Sequence, residues 1–593
     1  MRVFSMPQSH SAVQGMPHAA PDTQPLVYSA FSPDAFAQAR TRHVPVFLLI
    51  SDHPQALADP ALSMLLRERT VPVHLRPGER EDVELLCQRA GALFSGEGAL
   101  PLCALMTADA LPFLAAPLPP EGFPLDPARL QVWLSQADRR FKQNAPACGA
   151  QASQVIRSFR SDASAKTYSP QDAAHDLRRS LLASEDKHNG GFGDIKAPLV
   201  CALRFAQHAG ASGDKALGSA FSRAIETMLA SALYDPLDGG FFRATLTDDW
   251  RIFIPEKPLG INAMLAQCLL SDGRRSEAIR TLDLIADRFA LQGGGLSPVI
   301  HAPKETYAFS TKQVCAALGS ENGLRACRLL SLLRQHAKED PSICPSRFSP
   351  VTETIRHAKQ PDDDMPGLYP LLPHPLAPDD AAFLRRILPA LLRARAARMP
   401  QQPHPYVITA NCALAASALA VCGSRLSEPR YTQAAQRAVT FLISQPAIGH
   451  RPAQMIASAY PSSPLYAQAT CAANAALCLA MLTLGQNEGM EEYAQSGLRL
   501  LSASLHAFVR EDGLVMQTPK DPAAFFPRVP AIYDGELPSA AALLVRCVRM
   551  ADRMHGQTQD SDVIAMIWQA AAPAVKAQPF ACASLIDAMN DRE

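Results

Sequence analysis

The densest run of side chains able to do chemistry lies between residues 231 and 263, SALYDPLDGGFFRATLTDDWRIFIPEKPLGINA. Asp238-Gly239-Gly240 reads as a turn. Residues 241–246 and 250–254 can pair as a short hairpin around Thr247-Asp248-Asp249, and Pro258 begins a helix with Glu256 and Lys257 at its approach. Such a loop delivers Arg243, Asp248, Glu256 and Lys257 to one end of a helical assembly as a pocket wall. Glu256 paired with Asp248, or with the distant Asp534, would supply two carboxylates for general acid/base work, with Arg243 and Lys257 as electrostatic clamps. Adjacent Glu256 and Lys257 do not face one another on a helix. Acid–Arg pairs also brace loops, so structural, ligand-binding and catalytic roles stand open for Glu256 and Arg243.

Other chemistries have less to work with. None of the 14 cysteines is spaced Cys-x-x-Cys, which removes the thiol pair of a redox site or zinc knuckle. Most sit in apolar helical surroundings, as Cys268 and Cys547 do, and are expected to pack as small hydrophobes in a reducing compartment. None of the 16 histidines has metal-ligand spacing, so neither a metal nor a cofactor is expected. Lys+Arg 56 balances Asp+Glu 56, which argues against a nucleic-acid binder, whose affinity needs a clustered positive surface. No apolar stretch of about 18 residues is present, so no membrane span is expected. The polar start, 1–26, is expected to be a flexible tail without a secretory signal, and the protein to be cytoplasmic.

The elements that must position these residues fall into two styles. Up to about residue 145 strands and helices alternate. Ser32-Pro33 caps a first helix, 44–50 is an apolar strand, Asp59-Pro60 opens a second helix, and 71–75 is a second strand. A helix over 79–90, strands at 102–106 and 111–115, and a helix from Asp126-Pro127 to about 141 complete an α/β sheet with an antiparallel edge. From Ser169-Pro170 onward helical periodicity takes over, with helices near 197–209, 215–233, 259–272, 275–291, 310–318, 322–337, 379–397, 407–422, 429–445, 465–484, 489–508, 537–555, 560–575 and 579–590. Short links favour antiparallel pairs, and Ala/Leu-rich turns with few charges suit a ring of helical hairpins. The stretch 339–377 is too Pro-rich for helix and reads as an insertion.

These segments resemble the thioredoxin-domain family that includes spermatogenesis-associated protein 20. AFSPDAFAQARTRHVPVFLLI, ADPALSMLLRERTVPVHLRPGERED and ALPLCALMTADALPFLAAPLPP are similar to its first domain, with Leu100 in place of a Trp and Pro101 at the usual cis-proline position. Where the family carries Cys-x-x-Cys, this chain has Ser51-Asp52-His53-Pro54-Gln55. Tyr234, Asp235, Leu237, Gly239, Gly240, Phe241, Arg243, Trp250, Glu256, Lys257, Leu259, Asn262 and Ala263 match the family signature. Phe242 and Ile254 replace its two histidines. Weaker likenesses occur at 190–196, at Asn411 and at 533–539.

The resemblance implies a thioredoxin-like α/β domain over 27–145, followed by a mostly α (α/α)6 toroid over 165–593 similar to N-acylglucosamine 2-epimerases and six-hairpin glycosidases. It also implies Arg243, Lys257, Asn262 and Asn411 as ligand-binding residues, with Glu256, Asp248 and Asp534 as catalytic candidates. Because the chemically active family positions are the substituted ones, the favoured expectation is a redox-inactive, catalytically degenerate binding or regulatory protein with a small carbohydrate ligand or a protein partner. A sugar epimerase or glycoside hydrolase-like enzyme is the alternative, and a thiol oxidoreductase the least favoured.

Overall fold

The computed structural model describes residues 26–52, 57, 59–120, 125–159, 168–193, 196–330, 377–398, 401–445, 452, 454–457, 464–466, 470–521, 524–556 and 562–591. The 1–25 tail, His53–Gln55 and all but the last residue of the 339–377 insertion lie outside them. The described residues divide into two compact units, one within Met1–Ser161 and Lys520–Val529, the other within Asp162–Pro345, Pro361–Pro519 and Pro530–Glu593.

The first unit is built on a four-stranded sheet of β1 (Val46–Ile50), β2 (Val71–Leu75), β3 (Leu102–Met106) and β4 (Pro112–Pro117), in the order β2-β1-β3-β4. β1 runs parallel to β2 and antiparallel to β3, and β4 returns antiparallel to β3. Every residue of β1 and β3 is buried, as continuous apolar runs require when both faces are covered. The cover comes from α1 (Pro33–Arg42), α2 (Pro60–Arg69), α3 (Glu81–Phe94), α4 (Pro127–Gln143) and α5 (Ala145–Arg157). Asp59 and Asp126 cap α2 and α4 through their carboxylates, the roles their Asp-Pro pairs suggest. The Leu100–Pro101 peptide is cis. Sequence reading missed α5, whose small residues give a faint apolar stripe. Its Cys148 and Ala152 nonetheless join the same core as Phe47, Leu105 and Trp133.

The second unit is helical. Six helices pack side by side into a closed ring: α7 (Val200–Ala211), α9 (Leu259–Ser271), α14 (Thr409–Leu426), α16 (Cys471–Glu488), α18 (Ala540–Met554) and α20 (Ala583–Asn590), with α20 meeting α7 again. A second layer lies against it, with α8 (Lys215–Ala230) on α7, α10 (Arg275–Arg288) on α9, α15 (Pro429–Ile443) on α14, α17 (Glu491–Phe508) on α16, α19 (Asp562–Ala577) on α18 and α6 (Pro170–Ser184) on α20. Ten of thirteen residues in α9 are buried against five of fourteen in α10, which is why the ring helices read as apolar on nearly all sides. Among the described residues the other α-helices of this unit are α11 (Thr311–Leu318), α12 (Ser320–Leu329) and α13 (Pro378–Arg398).

Short strands enter the ring helices. β5 (Glu256–Pro258) leads into α9 and pairs with β6 (Val299–His301), which pairs in turn with β7 (Gln402–Pro403). β8 (Tyr406–Ile408) leads into α14 and pairs with β9 (Met455–Ala457), itself paired with β10 (Pro464–Tyr466).

Gly210 of α7 lies so close to α8 that a Cβ there would sit 2.7 Å from the Gly218 Cα. Gly210→Ala should therefore lower the unfolding free energy by about 1–3 kcal/mol through overpacking. Denaturant titration measures this, and an unchanged midpoint would contradict the close approach.

Candidate functional site

The signature segment folds around one buried carboxylate. After α8 the chain turns so that Asp235 N–H donates to the Gly240 carbonyl (2.9 Å) and Gly239 N–H to the Asp235 carbonyl (2.9 Å). The Asp235 side chain accepts from Leu237 N–H (3.0 Å) inside the turn and receives two cations from outside it. Lys257 Nζ donates to Asp235 Oδ2 (2.8 Å) and to the Gly239 carbonyl (2.9 Å). Arg395, from α13, donates through both terminal nitrogens to Oδ2 (2.7 Å) and Oδ1 (3.2 Å). Burial pushes the Asp235 carboxyl up, but the charges of Arg395 and Lys257 outweigh it and hold the group below the usual carboxylate range.

Asn262 secures the other side of the turn. Its Oδ1 accepts from Phe241 N–H (2.7 Å), while its Nδ2 donates to the Phe241 carbonyl (2.9 Å) and to the Pro258 carbonyl (2.8 Å). Gly240 has φ +77°, and a Cβ there would fall on a Leu284 methyl and within 2.8 Å of Asn262 Oδ1. Lys257 and Asn262 are both completely buried.

The same device occurs one hairpin earlier, a repeat that sequence reading did not pick out. Asp186 N–H donates to the Gly191 carbonyl (3.0 Å), and Gly190 N–H to the Asp186 carbonyl (2.8 Å). Lys196 Nζ donates to Asp186 Oδ2 (2.7 Å) and to the Gly190 carbonyl (3.1 Å). Bridges Glu185–Phe192 and Tyr234–Phe241 close the two turns alike. The signal was available as Asp-x-x-x-Gly-Gly-Phe at 186–192 and again at 235–241. Each lysine arrives from a different distance along the chain, which hides the pairing.

Arg243 and Glu256 do meet. Arg243 Nε donates to Glu256 Oε2 (2.6 Å), and backbone Arg243 N–H to the Glu256 carbonyl (2.8 Å). The outer edge of the same guanidinium is taken by Glu536, a residue not singled out beforehand, through Nη1. Arg243 and Glu256 are half-buried, whereas Glu536 is 48 % exposed. Burial lowers the Arg243 pKa, but the two carboxylates more than reverse this and hold it above its usual range.

Asp534 sits two residues from that clasp and ties the starts of two neighbouring ring helices together. It accepts from Ser539 N–H (3.0 Å) before α18, and from both Ser584 N–H (2.8 Å) and the Ser584 hydroxyl in α20. Burial pushes its carboxyl up to about 6, partly opposed by these hydrogen bonds.

Asp248 stands exposed in the 247–249 turn. The expected hairpin is reduced to a Thr245–Phe253 bridge, with Leu246 N–H to the Ile252 carbonyl (2.7 Å) and Ile254 N–H to the Ala244 carbonyl (2.9 Å). Asn411 is half-buried in the first turn of α14, and its side chain makes no hydrogen bond among the described residues. Phe242 stacks on Phe253 at 4.1 Å and packs edge-on to Tyr307, so an apolar cluster stands at one position where the resembling family has a histidine.

In the first unit Ser51 closes β1, donating its N–H to the Leu75 carbonyl (3.1 Å). The unit's cysteines, 87, 103 and 148, are all buried free thiols. Burial raises all three thiol pKa values, Cys103 to about 12, which disfavours the thiolate that disulfide exchange needs. Among the described residues no three His, Cys, Asp or Glu side chains come together as a metal site, and no helix is long and apolar enough to cross a membrane.

No family model matches the chain. A curated relative, the uncharacterized protein B0495.5 of Caenorhabditis elegans, is 24% identical over 267 residues, covering 40% of this chain. The chain spans about a third (34%) of that relative's length. Similar solved structures include cellobiose 2-epimerase from Spirochaeta thermophila, with 16% identity, 68% of this chain and 84% of that chain covered, and a TM-score of 0.40. A D-mannose isomerase is 10% identical, with 68% and 85% covered and a TM-score of 0.41. A sugar epimerase from a ruminal bacterium is 11% identical, with 65% and 99% covered and a TM-score of 0.28.

Lys257→Met leaves the Asp235 carboxylate short of one cation and should destabilise the fold by about 3–5 kcal/mol, read from chemical denaturation. A loss below 1 kcal/mol would show that the pair is dispensable. Asp534 has a folded-state pKa above its unfolded value, so its contribution to stability is present at low pH and lost as pH rises through about 6. The unfolding midpoint should accordingly decline between about pH 4 and 6 in the native chain, and decline less over that range in Asp534→Asn. Equal slopes in the two proteins would refute this assignment.

Proposed function

We propose that this chain is a binding or regulatory protein built from a redox-inactive thioredoxin-like unit and a six-hairpin (α/α)6 toroid, and that it has lost the acid–base chemistry of toroid enzymes. One observation carries this reading: the polar signature residues already have their partners within the fold. Lys257 faces a carboxylate and a carbonyl, Asn262 meets three backbone groups, and Glu256 is bonded to Arg243. A general acid or base must instead present a transferable proton to a reacting atom. The mixed sheet with order β2-β1-β3-β4 supports the thioredoxin-like reading, and the buried, high-pKa thiols support its redox inactivity. The free cysteines also fit a reducing, cytoplasmic setting.

A carbohydrate-active enzyme is the second reading, favoured by two features. The Asp534 carboxyl titrates near 6, in the range of a general acid, and Asn411 holds an unused amide at the start of a ring helix.

Incubation of the protein with a panel of mono- and disaccharides, followed by proton NMR, separates the two. No turnover is expected, and any sugar that does bind should lose affinity at least about tenfold in Arg243→Ala. Epimerisation or hydrolysis that disappears in Glu256→Gln would overturn the proposal in favour of the enzyme.

A further inference from the structure

Halfway down the ring, on α7, α9, α18 and α20, lies a second group of charged and polar residues that shares no residue with the signature segment. Asp587 of α20 is the hub. It is bonded to His208 Nδ1 of α7 (2.9 Å) and accepts from Arg546 of α18 (2.5 Å), so it reaches both ring neighbours of its own helix at once. Arg204 of α7 likewise reaches both of its neighbours, donating through Nη1 to Gln267 Oε1 of α9 (3.0 Å) and standing 3.9 Å from Asp587 through Nε. A residue that touches both flanking helices lies on the inner or the outer side of the ring. On α7 the outer side belongs to Gly210, which abuts Gly218 of α8. At 100° per residue, Arg204 and His208 lie roughly 120° and 160° around the helix from Gly210, and so toward the inside.

The charges of this group do not balance as a structural tie would. One carboxylate needs one guanidinium, and Arg546 already occupies it. Arg204 is a second, its Nε without a hydrogen bond, and burial together with the neighbouring Arg546 charge lowers its pKa. Nearby, Asp591 adds a second carboxylate and Arg549 a third guanidinium, which donates to the carbonyls of Ala588, Met589 and Asp591 at the end of α20. Two like-charged guanidiniums confined beside a single buried acid repel each other, and an incoming anion relieves that repulsion. The place is open to solvent, with the side chains of His208, Arg204 and Arg546 exposed by 34%, 26% and 16% while Asp587 is 3% exposed.

We propose that this stretch of the ring's inner wall binds the oxyanion group of a small ligand, a carboxylate or a phosphate, between the guanidiniums of Arg204 and Arg546, with His208 and Gln267 at its margin. The proposal is independent of the reading of Arg243 and Glu256, because it shares no residue with them.

Calorimetric titration of the full chain at fixed ionic strength, once with inorganic phosphate and once with glucuronate, tests it and distinguishes the two oxyanions. Saturable binding of at least one probe is expected, weakened about tenfold or more in Arg204→Gln and in Arg546→Gln. Arg204→Gln removes no hydrogen bond to Asp587, so it keeps the test usable if Arg546→Gln does not fold. Circular dichroism checks the fold of each variant. Absence of saturable binding of both probes to the native chain would overturn the proposal, and so would binding of undiminished affinity in folded Arg204→Gln.

Discussion

Lys257 has no contact with solvent, so its ammonium group can be held in place only because Asp235 and the Gly239 carbonyl stand against it. Asp235 in turn needs both Lys257 and Arg395, since burying a lone carboxylate would cost several kcal/mol. This ion triplet ties together three distant stretches of chain: the turn after α8, the strand entering α9, and the helix α13. Gly240 and Asn262 can take their positions because that turn is fixed, and Asn262 then sets where α9 begins. The Arg243–Glu256 contact is mounted on the same two strips of backbone, so its geometry follows from the buried charges beneath it.

The ring places these features at helix starts. Apolar strips on both sides of α9, α14 and α16 bury them between neighbours, and the short strands β5 and β8 lead directly into α9 and α14. Asp534 ties the starts of α18 and α20 together, accepting from the N–H of Ser539, whose own hydroxyl caps α18, and from Ser584 N–H in the first turn of α20. Polar residues at such positions have structural work available to them whether or not a ligand is bound. Asp235, Gly239, Gly240, Lys257 and Asn262 are held by such structural work, while Phe242 packs in an apolar cluster with Phe253 and Tyr307.

Element types and many boundaries were legible in the sequence. Ser-Pro and Asp-Pro pairs announced helix starts at Pro33, Pro60, Pro127 and Pro170, and apolar runs announced β1 and β3. The helix α5 escaped because alanine, glycine and cysteine give little periodic contrast. Legibility at the candidate site was uneven. Arg243 and Glu256 come together, but Glu536 completes the clasp from nearly 300 positions away, and Asp248 points into a turn apart from them. Lys257 looked like a clamp for a ligand because sequence shows its charge and not the acid waiting inside the fold.

By itself the sequence determined most of the long helices and the four strands of the first sheet, and that no Cys-x-x-Cys pair exists. Those properties are local, set by side-chain period, capping chemistry and the presence or absence of a residue type. Tertiary structure alone decided that Arg395 shares Asp235 with Lys257, that Asp534 ties two helix starts together, and that Arg204 and Arg546 crowd one carboxylate inside the ring. Each of these joins groups far apart in the chain, and the strength of a charge depends on what is buried around it, which only the closed ring of helices creates.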